Sequence, residues 1–424
     1  MQSQVALNVQ QSIRPGMEIS TYYPGSENSK LQANATVNDN RFFVALPSLN
    51  SGSSSTVTFN PNEGLAEVII TMRLSAPSDA TGLALQEGWG YAMLRRIGYR
   101  YGSSQLYYIT GQQNLVQALS LCEDSGKKQQ LFFLGGQALL SAADWADAGK
   151  RTAYVYLRLP HSSPALSGSA LPFPSDVLTA PVQLQIDLAQ FNQVVSKSAG
   201  TTGVVPTSLE FATVNFTQVT MQDAGDLVAR RFDMSKHALT IPLGDGWTQE
   251  EVQFPVSVGA NGQFQVSLTG CKAGDLRKLR VWVTLDSDNN GAEVAPNKFY
   301  APSQLTFAIN GLIYLDSANG SWLLTNLLRR RQPPVVTYSD LGAYAGGAWS
   351  VTPYASAWCE IDLSQPYTLG DSAEVALVHG VPVMNSVMNL TGIMPVGNAQ
   401  YTIHCEYVLN CSWMASRGSA EFVF

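Results

Sequence analysis

The chain has 424 residues, of which 45% are apolar and 13% are charged, and its formal net charge is −7. High apolar content with low net charge excludes a disordered chain, and the mild acidity argues against direct nucleic-acid binding. The one dense basic cluster, Arg329 to Arg331, is interpreted as a solvated turn. The length suits two packed domains.

Strand-like runs dominate the first half of the chain. Residues 1–40 are polar and rich in Gln, Ser and Asn, which predicts a loosely structured arm. Two later segments have helical character: TGQQNLVQALSLCEDSGKK and SAADWADAGK, the latter from Ser141 to Lys150. Alternation of β-branched and aromatic residues with polar ones predicts strands elsewhere. These strands are FFVALP, STVTFNP, LAEVIITMRLS, YAMLRRIGYRY, QLFFLGG, AYVYLRLP and VQLQIDL.

After a connecting segment, the second half again consists mainly of strand-like runs. SLEFATVNFTQVTM predicts a strand, DAGDLVARRF predicts a helix capped by Asp223, and HALTIPLG predicts a further strand. Many short strands with Gly, Pro and Asn between them predict an all-β fold of β-sandwiches or jelly rolls, with a few short helices in the connections. The order of segments is similar in both halves, which predicts a duplicated domain. The later strands are EEVQFPVSV, GQFQVSLTG, RKLRVWVTL, QLTFAINGLIYL, WCEIDL, AQYTIHCEYVLNCSWM and AEFVF.

The sequence predicts no catalytic, cofactor or metal site. It contains no HExxH, GxSxG or P-loop pattern. Its histidines are interpreted as isolated core or surface residues. The stretch DSDNNGAE, from Asp286 to Glu293, resembles the start of a calcium loop, but Asn297 stands where the twelfth position requires Glu. We expect a polar loop there, with an adventitious cation site as the alternative. The four histidines are His161, His237, His379 and His404.

The cysteines and tryptophans favour structural roles. Five widely spread cysteines without a CxxC pair suggest neither a disulfide framework nor a zinc site, so free thiols in a reducing compartment are expected. Tryptophans within or beside strands are expected to pack in the core, with a sugar-binding groove as the alternative. A carboxylate pair for glycoside hydrolysis stays open, because such pairs meet only in the fold. These residues are Cys122, Cys271, Cys359, Cys405, Cys411, Trp89, Trp145, Trp247, Trp282, Trp322, Trp349, Trp358 and Trp413.

Several stretches in order resemble the double jelly-roll major capsid proteins of large nucleocytoplasmic DNA viruses and smaller related DNA viruses. GWGYAMLRRIGYRYGSSQLYYITGQQ is similar to their first-domain strand and turn. AYVYLRLPHSSPALSGSALPFPSDVLTAPVQLQIDL resembles a strand, an LP corner and a proline-rich loop. NFTQVTMQDAGDLVARRFDMSKHALTIPL resembles the join between the two jelly rolls, and GCKAGDLRKLRVWVTL resembles a second-domain strand.

The resemblance implies two tandem jelly rolls within one chain. The predicted parts are an N-terminal arm at 1–40, a first jelly roll at 41–221, a connecting helix and strand at 222–249, and a second jelly roll at 250–424. It further implies a major capsid protein, not an enzyme, whose homotrimers form pseudohexameric capsomers of an icosahedral shell.

The same resemblance implies the partners and the location. The expected partners are further copies of the chain, with minor capsid, cement and penton proteins as additional ones and an inner membrane met through the arm. The expected location is the virion, after synthesis and assembly inside the host cell, since no secretory signal opens the chain. The alternatives are a minor virion jelly-roll protein and a jelly-roll carbohydrate-binding module or glycoside hydrolase.

Two adjacent arginines stand out in a chain with little charge. Arg95 and Arg96 alternate across a predicted strand, so one side chain should leave the core face. We expect it to bond backbone or acidic groups at a domain or subunit boundary, while the alternative is that both are solvated near a strand edge.

Overall fold

The computed structural model of the chain describes most of both halves. The described residues are 35–59, 64–101, 104–120, 125–157, 181–221, 239–242, 247–286, 294, 296–300, 302–317, 343–345, 348–350, 358–363, 365–368, 376–416 and 419–423.

Eight main strands make up the described part of the first half. They are β1 (Ala35–Ala45), β2 (Ser54–Phe59), β3 (Gly64–Leu74), β4 (Leu94–Tyr101), β5 (Ser104–Ile109), β6 (Thr152–Leu157), β7 (Val182–Leu188) and β8 (Leu209–Met221). The connections hold α1 (Trp89–Ala92), α2 (Gly111–Ser120), α3 (Ser125–Leu134), α4 (Ala142–Ala146), a 3₁₀ turn (Phe191–Gln193) and the short strands Leu83–Ala84 and Ser196–Lys197.

Eight main strands also make up the described part of the second half. They are β9 (Val252–Val258), β10 (Gln263–Leu268), β11 (Asp275–Leu285), β12 (Gln304–Ile309), β13 (Leu312–Ser317), β14 (Trp358–Asp362), β15 (Met388–Ile393) and β16 (Ala399–Leu409). The shorter strands are Leu239–Pro242, Trp247–Thr248, Ala343–Ala345, Ala348–Ser350, Gln365–Thr368, Ala376–His379, Val381–Pro382, Ser412–Ser416 and Ser419–Val423.

Each half contains two main sheets, and the strand order is the same in both halves. The first half has the β1 sheet (β1-β8-β3-β6) and the β2 sheet (β2-β7-β4-β5). The second half has the β9 sheet (β9-β16-β11-β14) and the β10 sheet (β10-β15-β12-β13), each named after its first strand. Eight antiparallel strands divided in this order between two sheets form a jelly roll. The predicted all-β fold of two tandem jelly rolls and its internal duplication are therefore confirmed.

The core of each half is built by period-two alternation along the strands. In β7, VQLQIDL, the apolar residues from Val182 to Leu188 are buried, and the two glutamines between them are half-buried. In β10, QFQVSL, Phe264, Val266 and Leu268 are buried while the polar residues between them are exposed. Each such buried side chain stabilises the fold by about 1.5–3 kcal/mol. Alternation therefore gives these two strands an inner, apolar face and an outer, more polar face.

Four segments differ from the sequence predictions. AQYTIHCEYVLNCSWM, predicted as one strand, divides into β16, which ends at Leu409, and the short strand Ser412–Ser416. QLFFLGG, predicted as a strand, lies in helix α3 up to Leu134 and in the turn that follows. YAMLRRIGYRY, predicted as one strand, begins in helix α1, and its strand β4 starts only at Leu94. QLTFAINGLIYL is a hairpin, because Asn310 and Gly311 adopt positive φ angles of 50° and 81° and reverse the chain. Asn-Gly suits the tight turn that such a hairpin requires.

The domain boundaries stay predictions, with one local difference. Strand β1 begins at Ala35, so residues 35–40 are strand where the loosely structured arm was predicted. The predicted helix DAGDLVARRF lies outside the described residues. So do most of the calcium-like loop, the basic cluster and several single residues of interest: Arg329, Arg330, Arg331, Cys122, His161, His237 and Trp322.

Candidate functional site, the junction between the two halves

Helix α2 carries a buried glutamine that joins the two halves. Thr110 precedes the helix, and its hydroxyl accepts the backbone N–H of Gln113 at 3.1 Å, while Gln113 Oε1 accepts the N–H of Thr110 at 3.4 Å. This reciprocal pattern is a capping box, which fixes the glutamine side chain at the start of the helix. The Gln113 amide then donates to Gln249 O at 2.6 Å and accepts from Glu251 N at 3.1 Å.

A second group of bonds attaches the 294–300 segment to the first half. Ser196 Oγ donates to Val294 O at 3.0 Å and accepts from Val294 N at 2.8 Å. Asn297, fully buried, donates from Nδ2 to Gly88 O at 2.9 Å. These bonds pair uncharged side chains with backbone groups. Each buried bond of this kind contributes about 0.5–1.5 kcal/mol, so together they hold the halves in one arrangement.

Arg96 adds a charged contact at the rim of the junction. Its guanidinium lies 3.7 Å from the ring centroid of Tyr108 and 2.8 Å from a carboxylate oxygen of Glu250. Arg95, by contrast, is 65% exposed and lies 3.6 Å from Asp187. The expectation that one of the two arginines reaches an acidic group at a boundary is confirmed for Arg96, at the boundary between the halves.

Behind the junction, Glu251 and His404 form a buried polar pair. His404 Nδ1 lies 3.3 Å from Glu251 Oε1, and Nε2 lies 2.9 Å from the Thr284 hydroxyl. The imidazole also stacks on Trp282 with the ring centroids 5.4 Å apart. His404 is thus a core histidine with partners on three sides. This agrees with the interpretation from the sequence that the histidines are core or surface residues.

The pKa of Glu251 reflects two opposing effects. Burial alone raises the pKa of this carboxyl, but the facing His404 and hydrogen bonds with Gln253 and Thr110 outweigh burial and hold the pKa below its ordinary value. Thr110 belongs to the first half, so the charge of Glu251 is stabilised from both sides of the junction.

A buried ion cluster crosses three strands of the β9 sheet. Arg280 on β11 lies directly opposite Glu360 on β14 and Glu406 on β16. Its Nε bonds Glu360 at 2.7 Å, its Nη1 bonds Glu406, and Lys278 Nζ lies 3.6 Å from the other oxygen of Glu360. The two carboxylate side chains are 1% and 0% exposed. The Arg280 guanidinium bonds both Glu360 and Glu406, so there is no room for a substrate between these two carboxylates.

The comparisons with known proteins find solved structures with a similar fold. The chain is similar to the Faustovirus major capsid protein, with 8% identity over 99% of this chain and 96% of that chain and a TM-score of 0.55. It is similar to the PBCV-1 virus capsid, with 10% identity, 92% and 97% coverage and a TM-score of 0.58. The chain has the fold of viral capsid proteins. A chain of the Sputnik virophage structure shares the fold at 12% identity, 97% and 92% coverage and a TM-score of 0.53. No protein-family model and no curated protein matches the sequence.

The double jelly-roll capsid fold accounts for most residues singled out in the sequence. Trp89, Trp145, Trp247, Trp282 and Trp358 are buried in the core, as expected. The cysteines of the described residues are free thiols, three buried and Cys271 partly buried, and burial raises the pKa of Cys271 to about 12. Within the same residues, no group of His, Cys, Asp or Glu side chains could hold a metal ion, and no helix is long and apolar enough to span a membrane.

The uncharged junction residues, unlike Arg96, were not found from the sequence. Gln113, Ser196 and Asn297 are uncharged and separated by long stretches of chain from the groups they bond. One local signal was available, since the T-x-x-Q pattern from Thr110 to Gln113 is typical of a capping box.

Proposed function

We propose that the chain is a major capsid protein, the structural subunit of an icosahedral virus shell, and not an enzyme. The observation that carries the proposal is the double jelly roll itself, whose fold is shared with the Faustovirus and PBCV-1 capsid proteins over more than nine-tenths of this chain. In the proposed shell, three copies form a pseudohexameric capsomer, and the two jelly rolls of each copy supply two of its six similar parts.

The surface chemistry supports this role. Only 13% of the residues are charged, and repulsion between many like-charged copies would oppose a closed shell. The edge strands of the β9 sheet are short: Trp247–Thr248 and β9 both pair with β16 on one side, and Val381–Pro382 and β14 both pair with β11 on the other. Covered or short edges prevent uncontrolled strand pairing between copies.

The proposed partners and location follow from the same role. Neighbouring capsomers, minor capsid or cement proteins and penton proteins would contact the shell subunit, and the N-terminal arm would tie it to neighbours or to an inner membrane. The protein would be made and assembled inside the host cell and would end in the virion, without direct contact with the genome. The burial of five tryptophans and the sealed Arg280 cluster weigh against the carbohydrate-binding and hydrolase alternatives.

The first test is the mass of the purified protein by light scattering, with negative-stain images of the same peak. We expect a compact particle of about 137 kDa, three times the 45.8 kDa of one chain, with a hexagonal outline. A monodisperse monomer would contradict the capsomer. Copy number in purified particles then separates a major from a minor virion protein, because a major shell protein dominates the protein content.

A further inference from the structure

Four exposed apolar side chains lie together at one end of the second half. Leu312 and Ile313 begin β13, and Met384 and Val387 belong to the connection that leads to β15. Their exposed fractions are 67%, 62%, 71% and 58%. They are four of the ten large apolar side chains that are exposed among the described residues, and we call them the apolar tip. An exposed apolar cluster of this kind marks an interaction site.

Hydrogen bonds hold the two turns of the apolar tip together. Asn310, whose φ of 50° is left-handed, donates its backbone N–H to Val387 O at 2.8 Å. The Asn310 side chain accepts from Val387 N at 2.8 Å and donates to Ser386 Oγ at 3.2 Å. In the other turn, the Ser386 N–H donates to Val383 O at 3.1 Å. These polar groups pair within the tip, so leaving water would not strand them without partners.

The stretches of chain that form the apolar tip carry no charge. Residues 301–315 and 375–403 contain no Asp, Glu, Lys or Arg. The next charged residue along β13 is Asp316, which lies four residues beyond Leu312. At 3.3 Å per residue of strand, this separation is about 13 Å. The tip can therefore enter an apolar medium by several ångströms before any charge on this strand reaches the boundary.

The neighbouring connection between β10 and β11 has no net charge. It adjoins the tip, since the Val383 N–H donates to Gly274 O at 3.0 Å. In this connection Lys272 is exposed, with its Nζ 4.4 Å from the ring centroid of Trp247, and Asp275 is partly buried. One charge of each sign gives no attraction to an anionic partner, so apolar contact must supply the binding energy of the tip.

The arrangement of these side chains favours a lipid surface over a protein partner. Leu312 lies opposite Ile309 and Ile313 lies opposite Ala308, so the two exposed side chains project to opposite faces of the hairpin. A protein partner would cover one of these faces, whereas lipid surrounds both. All four side chains of the tip are also aliphatic or thioether, without the Tyr, Trp and Arg anchors that protein interfaces favour.

The topology relates the apolar tip to the N-terminal arm. β16 ends beside the tip, because the Asn410 N–H donates to Asp275 O and Asp275 lies opposite Pro382. β9 is antiparallel to β16 and starts at Val252, at this same end. The equivalent strand of the first half is β1, which starts at Ala35, where the predicted arm joins it. The arm and the tip thus belong to topologically equivalent ends of the two jelly rolls.

We propose that the apolar tip inserts into a lipid membrane enclosed by the shell, as a second contact besides the arm. The inference rests on the proposed function and names the residues that meet the lipid. Insertion to a depth of about 5–10 Å is typical of apolar groups at a membrane interface, and it would bury the tip while Asp316 stays outside. Because the tip is uncharged and the chain has a net charge of −7, binding should not require anionic lipids.

Flotation with vesicles of phosphatidylcholine alone tests the insertion. We expect the wild-type protein to float with the vesicles equally at about 0.1 M and about 1 M NaCl, since salt screens charges and leaves apolar contacts intact. Leu312→Asp and Met384→Asp each place a charge in the tip and should lower the bound fraction about tenfold or more. Val204→Asp is the matched control, because Val204 is an aliphatic residue of the first half that is 50% exposed. It should float like the wild type.

A fluorescence measurement locates the tip in the bilayer. Leu312→Trp adds a reporter whose emission should be quenched by brominated phosphatidylcholine, whereas the emission added by Val204→Trp should not be quenched. Intact purified particles should not bind added vesicles, because the tip would face the interior of the shell. Tip-dependent binding of vesicles by intact particles would overturn the assignment to an enclosed membrane.

The remaining outcomes separate this inference from the proposed function. Tip variants that float like Val204→Asp, or wild-type binding that is lost in high salt, would overturn insertion of the tip and leave the capsid function standing. A wild type that does not float, together with a fall to the 45.8 kDa monomer in Leu312→Asp, would assign the tip to a contact between copies instead. Failure of the proposed function is seen separately, as a wild type that is monomeric in light scattering.

Discussion

Replacement of Arg280 by Met should destabilise the second half far more than an average substitution. The guanidinium bonds two carboxylates whose side chains are 1% and 0% exposed. Met keeps the apolar length of the side chain but leaves Glu360 and Glu406 as buried charges on neighbouring strands. Breaking a buried ion pair by removing one partner costs about 3–5 kcal/mol, and we expect a loss in this range.

The loss should depend on pH in a defined direction. Without Arg280, burial and mutual repulsion raise the pKa of Glu360 and Glu406 above that of the unfolded chain, which is about 4.3. A raised pKa in the folded state means that the protonated form is favoured by folding, so the penalty is full above the raised pKa, shrinks as the pH falls from that pKa towards 4.3, and is gone below pH 4.3.

Arg73→Met is the matched control. The Arg73 and Glu210 side chains are 28% and 48% exposed, and such a surface pair contributes no more than about 1 kcal/mol. Urea denaturation followed by tryptophan fluorescence measures both losses, since Trp282 and Trp358 lie in the same strands as the cluster. Equal losses in the two variants, or a loss for Arg280→Met that is the same at pH 4 and pH 7, would refute the buried-cluster argument.

Three further outcomes are expected. Gln113→Ala removes two bonds across the junction and leaves backbone groups of the second half unpaired, so it should cost about 1–3 kcal/mol and speed proteolysis between the halves. Gly88→Ala should destabilise more than Gly200→Ala in thermal melts. Both glycines have left-handed φ angles of 72° and 75°, but an added Cβ meets Phe132 at 2.6 Å only in the first case. The lowered pKa of Glu251 means that its contribution is present above pH 4.3 and lost as the pH falls through the folded pKa, so the stability difference between wild type and Glu251→Gln should shrink in acid.

The alternation of apolar and polar residues along single strands was enough to predict most of the fold. The same pattern did not predict helices α1 and α3, which lie in segments that were predicted as strands. VQLQIDL and QFQVSL form strands with one buried face because every second residue is apolar. QLFFLGG has a short apolar run that suits either structure, and in helix α3 it buries Phe132 while Phe133 and Leu134 stay exposed. The position of α1 depends on the left-handed Gly88 before it, a conformation that the residues around it do not specify.

The uncharged contacts of the junction could not be predicted from the sequence for a different reason. Gln113 meets Gln249 and Asn297 meets Gly88 across 136 and 209 positions of the chain. Such pairs of uncharged side chains and backbone carbonyls carry no spacing pattern, because the fold alone brings them together. The burial of residues on the outer faces of the sheets could not be predicted from the sequence either. Arg280 and Arg73 occupy similar alternating positions, and only the structure shows which one is buried.

The pairing of first strand with last has a consequence for synthesis of the chain. In the first half, Phe42 of β1 pairs with Phe216 of β8, so β8 must leave the ribosome before the β1 sheet can close. Until then β1 and β3 lack the strand that lies between them, and pairings this distant in sequence form slowly. A chain that stops before Leu209 therefore presents two unpaired edges and is expected to aggregate. During translation, more than 160 residues are added between β1 and β8, at about 5–20 residues per second. Throughout that time the nascent first half is exposed to chaperones and to strands of neighbouring nascent chains.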